Sequence, residues 1–412
     1  MSGNATNYAR RARRRPARAS AVGTRAVGTR AVGTSLVVAM AVVATAAGLA
    51  ACGSGGGTRA ADAPASTGAG STAAGAESTT STVPAPVDVY AGTRAGMLSP
   101  AVAGVPTRVY VPNNDANTVQ VIDPVTFEIV GRFAVGALPQ HVVPSWDLKT
   151  LYVNNNQGNT LTPIDPMTGT PGKAIPVDDP YNLYFTPDGR YGLVMAERND
   201  QVDFYDPRTW TLVKHVDIPH KGVNHADFTA DGKTMFASCE FSGWMVRIDV
   251  ESQTLTGELE IGGEPIDVKL SPDGTLLYVA NHTRRGVVVI DVASFQEVGF
   301  IPTGAGAHGL YPSRDGTKLY VTNRMDGSIS VIDFATRAVV ATWEIGGSPD
   351  MGGVSADGKQ LWVSGRYNAA VYVVDTDTGK LLKTINVDKG PHGLALFPQP
   401  GAYSMGHTGN YR

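Results

Sequence analysis

A sequence element of about 42 residues recurs seven times along the chain. Each copy is marked by a short run of aromatic or β-branched residues. The copies begin at Tyr110, Tyr152, Leu193, Phe236, Tyr278, Tyr320 and Trp362. The spacings between these starts are 42, 41, 43, 42, 42 and 42 residues. A period this regular is typical of a repeat architecture, in which each copy is one supersecondary unit.

Each copy has the same order of turns and strands. An Asp-Gly pair such as Asp315-Gly316 comes first and tolerates the positive φ of a tight hairpin. A strand of the Tyr-Val-Thr-Asn type follows, and then an alternating strand that ends in an Asp such as Asp333. Three positions later stands a hydroxyl residue such as Thr336, and both side chains can bond the backbone of a turn. Because a fourth strand follows and no helical periodicity is present, the copies predict an all-β, seven-bladed β-propeller with four antiparallel strands in each blade.

The alternative to a closed propeller is an open β-solenoid, whose repeats are usually shorter and whose ends need caps. The run Tyr320-Val321-Thr322-Asn323 and its near copy at 278–281 resemble the bacterial YVTN-repeat β-propeller family. The resemblance covers residues 105–400, and copies three, four and seven depart from the motif. It implies the propeller fold strongly and an activity only weakly, because propellers host many functions.

The two ends of the repeat array predict how the ring closes. The innermost strand of a blade precedes its Asp-Gly turn, and the last segment of that kind, 392–397, follows the seventh copy. The first copy lacks a clear innermost strand, so we expect the C-terminal strand to complete the first blade and remove the open edges. Residues 97–100 are a competing choice for the same position. We expect the tail at 406–410 to lie on one face of the ring.

The first 86 residues predict export and attachment to a membrane. Residues 1–51 hold an arginine-rich stretch and an apolar run of 16 residues, which is short for a membrane-spanning helix and indicates a signal segment. The run ends in Leu-Ala-Ala-Cys, which resembles the lipobox of bacterial lipoproteins, in which Cys52 would become the lipid-modified first residue. A chance cysteine beside an ordinary cleavage site is the alternative. Residues 52–86 are almost all Gly, Ala, Ser, Thr and Pro and predict a flexible tether. We therefore expect a cell-membrane lipoprotein whose propeller, residues 87–412, faces outside the cytoplasm.

Charge and cysteine content exclude several classes of function. The net charge of −3 hides an asymmetry, because residues 1–51 contain eight arginines and no acid, which leaves 26 basic against 37 acidic residues in the remainder. Such an acidic body is not expected to bind nucleic acid, which requires a basic surface. The two cysteines, Cys52 and Cys239, exclude a disulfide framework and a multi-cysteine metal cluster. Cys239 is predicted to be a small buried residue.

Side chains from all blades are expected to gather at one mouth of the central channel. The innermost strands of a propeller begin there and the second strands end there. Positions seven residues before each turn Asp, the position of His392 inferred from closure, and the residues that directly follow these positions include four of the eight histidines. The candidates from the strand starts are His141, Asn182, His225, Asp267, His308, Asp350 and His392, and those that follow the second strands are Glu240, His282, Arg324 and Arg366.

His308, Asp350 and His392 come from three consecutive blades of the closed ring and are the candidate metal ligands. Two histidines and a carboxylate suit iron, whereas histidine-rich sets suit copper or zinc. A haem-type cofactor is a further alternative, since haem-binding propellers of bacterial nitrite reductases and copper-dependent propeller oxidases also use histidines at the channel mouth. A purely structural rim, which bonds loops and holds waters, is the remaining interpretation.

Three functions follow from this sequence. The first is a membrane-tethered binding module, expected to be a monomer, whose channel mouth takes a small molecule or a protein partner. The second is a redox or metal-dependent enzyme with a metal or haem-type cofactor at the channel histidines. The third is a propeller lactonase or hydrolase. Such enzymes usually need acids and Asn around calcium or zinc, and this rim is richer in histidine than in carboxylate.

Overall fold

A computed structural model describes residues 87–407 and 409–412. The signal segment predicted for 1–51, the lipid-modified Cys52 and the tether predicted for 52–86 lie outside the described residues. No helix in the described ranges is long and apolar enough to cross a membrane. Two short 3₁₀ helices, η1 (Ala91–Thr93) and η2 (Pro100–Val102), precede the first strand.

The described strands form seven antiparallel sheets. In chain order they are β1 (Arg108–Asn113), β2 (Thr118–Ile122), β3 (Ile129–Ala134), β4 (Pro139–Pro144), β5 (Leu151–Asn155), β6 (Thr160–Asp165), β7 (Thr170–Pro171), β8 (Ile175–Pro176), β9 (Pro180–Phe185), β10 (Gly192–Ala196), β11 (Gln201–Asp206), β12 (Thr211–Asp217), β13 (Val223–Phe228), β14 (Thr234–Cys239), β15 (Trp244–Asp249), β16 (Thr254–Glu260), β17 (Pro265–Leu270), β18 (Leu276–Asn281), β19 (Gly286–Asp291), β20 (Gln296–Pro302), β21 (Ala307–Pro312), β22 (Lys318–Asn323), β23 (Ser328–Asp333), β24 (Ala338–Glu344), β25 (Pro349–Val354), β26 (Gln360–Gly365), β27 (Ala370–Asp375), β28 (Leu381–Asn386) and β29 (Ala395–Phe397).

The predicted seven-bladed propeller is confirmed, and so is its closure. The first blade has the strand order β29-β1-β2-β3, with Tyr110 opposite Ala395 and Arg108 opposite Phe397. The C-terminal strand therefore occupies the innermost position of that blade, as predicted. The competing segment 97–100 instead makes isolated bridges through Leu98 to the chain just beyond β29.

One blade departs from the regular pattern at its outer edge. The outermost strand of the second blade is split into β7 and β8, which both pair with β6. Pro171 and Pro176 lack the backbone N–H that a ladder needs, and proline is tolerated best on an edge strand. The interruption therefore falls where it leaves the channel unaffected.

The turns behave as the repeat pattern predicted. Gly316 in an Asp-Gly turn has a φ of 63°, which glycine adopts without steric cost. In the same blade the backbone N–H and the hydroxyl of Thr336 donate to Asp333 Oδ1 at 2.8 and 2.9 Å. These acids and hydroxyls are thus committed to turns.

Hydrogen bonds between adjacent blades fix the innermost strands. The N–H of Leu270 donates to Asp227 Oδ2 and that of Leu310 donates to Asp267 Oδ2, both at 2.9 Å. Apolar clusters also join neighbouring blades, as where Leu193 of the third blade packs in one cluster with Met235 of the fourth. Because the inner strands are held on both sides, the side chains at their starts are held in fixed positions around the axis.

The described part of the C-terminal tail, residues 398–407 and 409–412, crosses the face of the ring opposite the mouth, which is called the far face below. The N–H of Ser404 donates to Trp146 O at 3.2 Å, and Asn410 Nδ2 donates to Ala226 O at 3.2 Å. These bonds reach blades two and four. The tail therefore lies on one face, as predicted, and closes that end of the channel.

Candidate metal centre in the channel

Four histidines from the innermost strands form a ring at the mouth. The centroids of neighbouring imidazoles are 5.6 Å apart for His141 and His225, and 6.4 Å apart for His225 and His308. The ring continues at 5.9 Å from His308 to His392 and closes at 4.9 Å from His392 to His141. None is more than 3% exposed. The structure thus brings together the four histidines that the repeat count placed at the mouth.

A fifth histidine, His407, enters the cluster from the C-terminal tail. Its ring lies 4.9 Å from those of both His141 and His225, and the residue is fully buried. Its backbone N–H donates to Leu183 O at 3.1 Å, which fixes the tail inside the channel. Sequence reasoning missed this residue as a site candidate because it lies outside the 42-residue period. The signal that could have found it is a histidine in a tail expected to cover the ring.

Three of these imidazoles could share one metal ion. His141, His225 and His407 each offer a nitrogen, and the three atoms lie within 4.8 Å of one another. His141 Nδ1 donates to Tyr181 O at 3.0 Å, and His225 Nδ1 donates to Asn224 Oδ1 at 2.8 Å. With Nδ1 protonated, Nε2 carries the lone pair. Metal-binding histidines in proteins are oriented in this way, by a hydrogen bond from the second ring nitrogen.

Three imidazole nitrogens of the cluster are buried without a hydrogen-bond partner in the described residues. Nε2 of His141, His225 and His392 has no hydrogen-bond partner within the described ranges. His392 Nδ1 donates to Asp350 Oδ2 at 2.7 Å, so its free nitrogen is also Nε2. A buried polar atom without a partner costs about 1–3 kcal/mol. Two of these atoms, on His141 and His225, belong to residues of the set that could share one metal ion, which would satisfy both.

Burial keeps the cluster neutral. Loss of solvation lowers the pKa of His141 to about 4, and the hydrogen bond to Tyr181 raises it only in part. Burial also lowers the pKa of His225, His392 and His407 well below the ordinary value, and neighbouring charged groups and imidazoles add to that effect. Neutral imidazole is the form that binds metals.

Asp350 joins the histidines to two arginines. Its Oδ1 accepts from Arg324 Nε at 2.8 Å and Nη2 at 2.5 Å, and lies 3.1 Å from His308 Nδ1. Burial favours the protonated acid, but Arg324, His308 and Arg366 outweigh it and lower the pKa of Asp350. The predicted ligand set His308, Asp350 and His392 therefore meets at one point, with Asp350 between imidazoles and guanidinium groups. There the carboxylate orients His392 and neutralises Arg324.

Two further sequence candidates, Asp267 and Asn182, lie beside His407. Asp267 is fully buried with Lys269, whose Nζ is 3.2 Å from Asp267 Oδ1, and the same oxygen is 3.7 Å from His407 Nε2. Burial raises the pKa of Asp267 although Lys269 opposes that shift. Asn182 Nδ2 lies 3.2 Å from His407 Nδ1. Both residues occupy the same position in their innermost strands as His141 and His225 do, the third residue of the strand.

The remaining candidates form the rim of the mouth. Asn224 Nδ2 donates to Glu197 Oε1 at 3.2 Å and to Glu240 Oε2 at 2.6 Å. Burial, followed by the nearby Glu240 carboxylate, raises the pKa of Glu197 to about 8. His282 Nδ1 lies 3.0 Å from Glu264 Oε2. Glu197 directly follows β10, as Glu240 follows β14, but it was not among the site candidates from the sequence.

The other chemistry-bearing residues lie apart from the cluster. His215 pairs with Asp203 on an outer strand, at 2.6 Å from Nδ1 to Oδ1. His220 stacks on Trp244 with the ring centroids 4.0 Å apart. Cys239 is buried, as predicted, and burial raises its pKa to about 12, which argues against a reactive thiolate.

The spacing of the rings limits the kind of cofactor. Two cavities of about 20 Å³ lie at the far face, one of them lined by Tyr90 and Arg314, and each has room for about one water. In the cluster, ring centroids stand 4.9 to 6.4 Å apart. A planar macrocycle does not fit between rings at this distance, so the haem-type alternative does not suit the cluster. A single ion does suit it.

Comparisons with known proteins agree with the fold. A family model described as a YNCE-like beta-propeller matches residues 77–399. The chain belongs to this family. No curated protein sequence matches it.

Solved structures of diverse activity share the architecture. Hydrazine synthase of Kuenenia stuttgartiensis is 21% identical with a TM-score of 0.55, over 61% of this chain and 87% of that one. The periplasmic gluconolactonase PpgL of Pseudomonas aeruginosa is 19% identical with a TM-score of 0.61, over 71% and 99% of the two chains. The dihydro-heme d1 dehydrogenase NirN is 16% identical with a TM-score of 0.56, over 73% and 76%. At such low identity these similarities establish the fold alone.

Proposed function

We propose that this YNCE-like propeller is an exported, lipid-anchored protein that binds a copper ion on the histidines of its channel. One observation carries the proposal: buried lone pairs on Nε2 of His141, His225 and His392 have no hydrogen-bond partner in the described part of the chain. The tail adds His407, whose ligand nitrogen lies within 4.8 Å of those of His141 and His225. Imidazole donors of this kind suit copper.

The surrounding charges favour copper over a hard divalent ion. The buried carboxylates beside the cluster are each paired with a cation, Asp267 with Lys269 and Asp350 with Arg324. A buried charge without compensation is expensive, and the expense grows with the charge of the ion. A monovalent Cu⁺ on neutral imidazoles therefore suits these surroundings better than Zn²⁺ or Fe²⁺. Iron would also favour a carboxylate ligand, and Asp350 is already committed.

The burial of the cluster constrains its use. The histidines of the mouth are at most 3% exposed, and the tail closes the far face. A large substrate could not touch an ion at that depth, whereas an electron could reach it or the ion could be stored there. We therefore infer a copper carrier or a one-electron redox centre, acting as a monomer outside the cytoplasm.

Copper titration of the purified full-length chain tests the metal proposal. We expect one Cu⁺ per chain in a competition assay with a chromogenic Cu⁺ chelator. His225→Ala should weaken binding at least tenfold, which corresponds to about 1.4 kcal/mol. His215→Ala, on an outer strand, is the matched control and should bind as the wild type does. Absence of stoichiometric copper, equal binding by both variants, or tighter binding of zinc than of copper would refute the proposal.

Metabolic labelling with a fatty acid tests the proposed anchor. The membrane fraction of expressing cells should contain labelled protein, and Cys52→Ala should abolish the label. Cys239→Ala is the control, because that thiol is buried inside the propeller. Labelling that persists in Cys52→Ala would contradict the lipid anchor without affecting the copper proposal.

A second candidate function, a binding module for a small molecule, rests on a different observation. The rim above the cluster carries charged side chains whose hydrogen-bonding capacity is only partly used, as at Arg366 Nη1. The two functions are compatible, because the rim and the cluster occupy successive levels of the same channel.

A further inference from the structure

Charges of opposite sign occupy opposite sides of the mouth. The residues that directly follow the second strands are Asn114, Asn156, Glu197, Glu240, His282, Arg324 and Arg366, one from each blade. The two carboxylates belong to blades three and four, and the two guanidinium groups belong to blades six and seven. Around the ring of seven, the blade of Arg366 lies three steps from that of Glu240 in one direction and three steps from that of Glu197 in the other, so Arg366 lies nearly opposite the two carboxylates across the channel.

The acidic side holds two carboxyl groups that compete for one donor. Asn224 Nδ2 donates to both Glu197 and Glu240. Burial and the proximity of the two groups raise the pKa of Glu197, and burial also raises that of Glu240. Two like charges in a partly desolvated site are stabilised when a cation lies between them. An ammonium group, with its three donors, matches this arrangement.

The basic side holds a guanidinium group with an unsatisfied donor. Arg366 Nη1 is buried and has no hydrogen-bond partner among the described residues. The nearest acidic oxygen, Asp350 Oδ2, is 3.8 Å away, which is too far for a hydrogen bond. That carboxylate is already engaged by Arg324 at 2.5 Å. A ligand carboxylate would satisfy the unused donor of Arg366 through a charge-assisted hydrogen bond.

Exposed aromatic side chains border the charged groups. Tyr367 is 65% exposed, and the guanidinium carbon of Arg324 lies 5.8 Å from the centroid of its ring. Phe241 follows Glu240 on the acidic side and is 55% exposed. The rim is therefore open to solvent above the charged groups, with apolar surfaces that could contact the methylene chain of a ligand.

We propose that the mouth binds a small zwitterion, whose carboxylate lies on Arg366 and whose ammonium group lies between Glu197 and Glu240. The ligand class is that of amino acids and related amino-carboxylates. A ligand with only one charge would pair either with the carboxyl groups or with the guanidinium group and would leave the other side of the mouth without a partner. This site lies above the histidine cluster and uses none of its proposed copper ligands, so it does not depend on the copper proposal.

Calorimetric titration of the full-length, metal-free chain with ω-amino acids tests the proposal. The series runs from glycine to 6-aminohexanoate, and the chain length of the member that binds best reports the distance between the acidic and the basic side of the mouth. Hexanoate and hexylamine are the singly charged controls. At least one member should bind with a Kd below about 1 mM, and both controls should bind at least tenfold more weakly. Arg366→Gln and Glu240→Gln should each weaken binding about 10- to 100-fold, the range expected for a lost charged hydrogen bond. Arg208→Gln, in the exposed turn between β11 and β12, should bind as the wild type does.

Three results would overturn the zwitterion site: no binding by any member, equal binding of hexanoate or hexylamine, or unchanged binding by Arg366→Gln. Copper stoichiometry of Arg366→Gln is measured in parallel. Retained copper with lost zwitterion binding shows that the variant is folded and supports the site. If the wild type bound no copper, that result would refute only the copper proposal and would not affect the conclusion about zwitterion binding.

Discussion

Replacement of Asp350 by Asn should destabilise the propeller strongly. Asp350 is fully buried, and its partner Arg324 has an 11% exposed side chain. The carboxylate accepts two hydrogen bonds from Arg324, at 2.8 and 2.5 Å, and one from His392 at 2.7 Å. Asn keeps one acceptor oxygen but no charge, so the guanidinium would remain buried without compensation. Removal of one partner of a buried ion pair costs about 3–5 kcal/mol, and we expect a loss of that size.

Urea denaturation at pH 7 measures this loss. The control is Glu251→Gln, whose carboxylate pairs with Arg190 at 2.5 Å but is 79% exposed, so the change should be below about 1 kcal/mol. The double variant Asp350→Asn/Arg324→Gln should recover part of the loss, because it also removes the unpaired charge. The pKa of Asp350 is lowered in the folded chain, so its contribution is full above the ordinary pKa and declines as the pH falls through the lowered value. A loss at pH 7 no larger than that of the control would refute this reasoning.

Three further predictions concern buried titratable groups. The pKa of Glu197 is raised from the ordinary value of 4.5 to about 8, so the folded state prefers the protonated acid. The free energy of unfolding should therefore fall as the pH rises from 4.5 towards 8. Glu197→Gln should flatten this dependence in melting curves recorded from pH 5 to 9. The pKa of His141 is lowered from 6.5 to about 4, so the metal-free protein should lose stability as the pH falls through that interval. In urea titrations, His141→Gln should lose less stability between pH 7 and pH 5 than the wild type does. Lys269→Met should cost about 3–5 kcal/mol in urea because it leaves Asp267 unpaired, whereas adding Asp267→Asn should restore much of the stability; equal losses in both variants would contradict the buried ion pair.

The sequence predicted the fold because its period coincides with the structural unit. Each Asp-Gly turn and each Asp with a hydroxyl three residues later marks a fixed position in a blade, so seven copies predict seven sheets. The C-terminal closure followed from one missing inner strand in the first copy. The split outer strand of the second blade was not predicted, since Pro171 and Pro176 affect only the edge of that sheet.

The site was predictable only where it follows the repeat. Four histidines lie at two neighbouring repeat positions near the starts of the innermost strands, so the repeat places them around the axis. His407 lies in the tail, outside the period, and its position depends on how the tail packs against β9. The role of Asp350 was also hidden, because the Arg324 guanidinium that engages it comes from the preceding blade, 26 residues earlier, and only tertiary packing brings the two groups together.

X-ray absorption spectroscopy of the copper-loaded, full-length chain identifies the atoms that coordinate the metal. We expect a copper ion with at least three imidazole nitrogens at about 2.0 Å, close to the distance usual for histidine on a first-row metal. The imidazole contribution should decrease in His407→Gln, the variant that removes the ligand supplied by the tail. Coordination by sulfur, coordination by oxygen atoms alone, or a spectrum unchanged in His407→Gln would contradict a copper centre at the histidines of the channel.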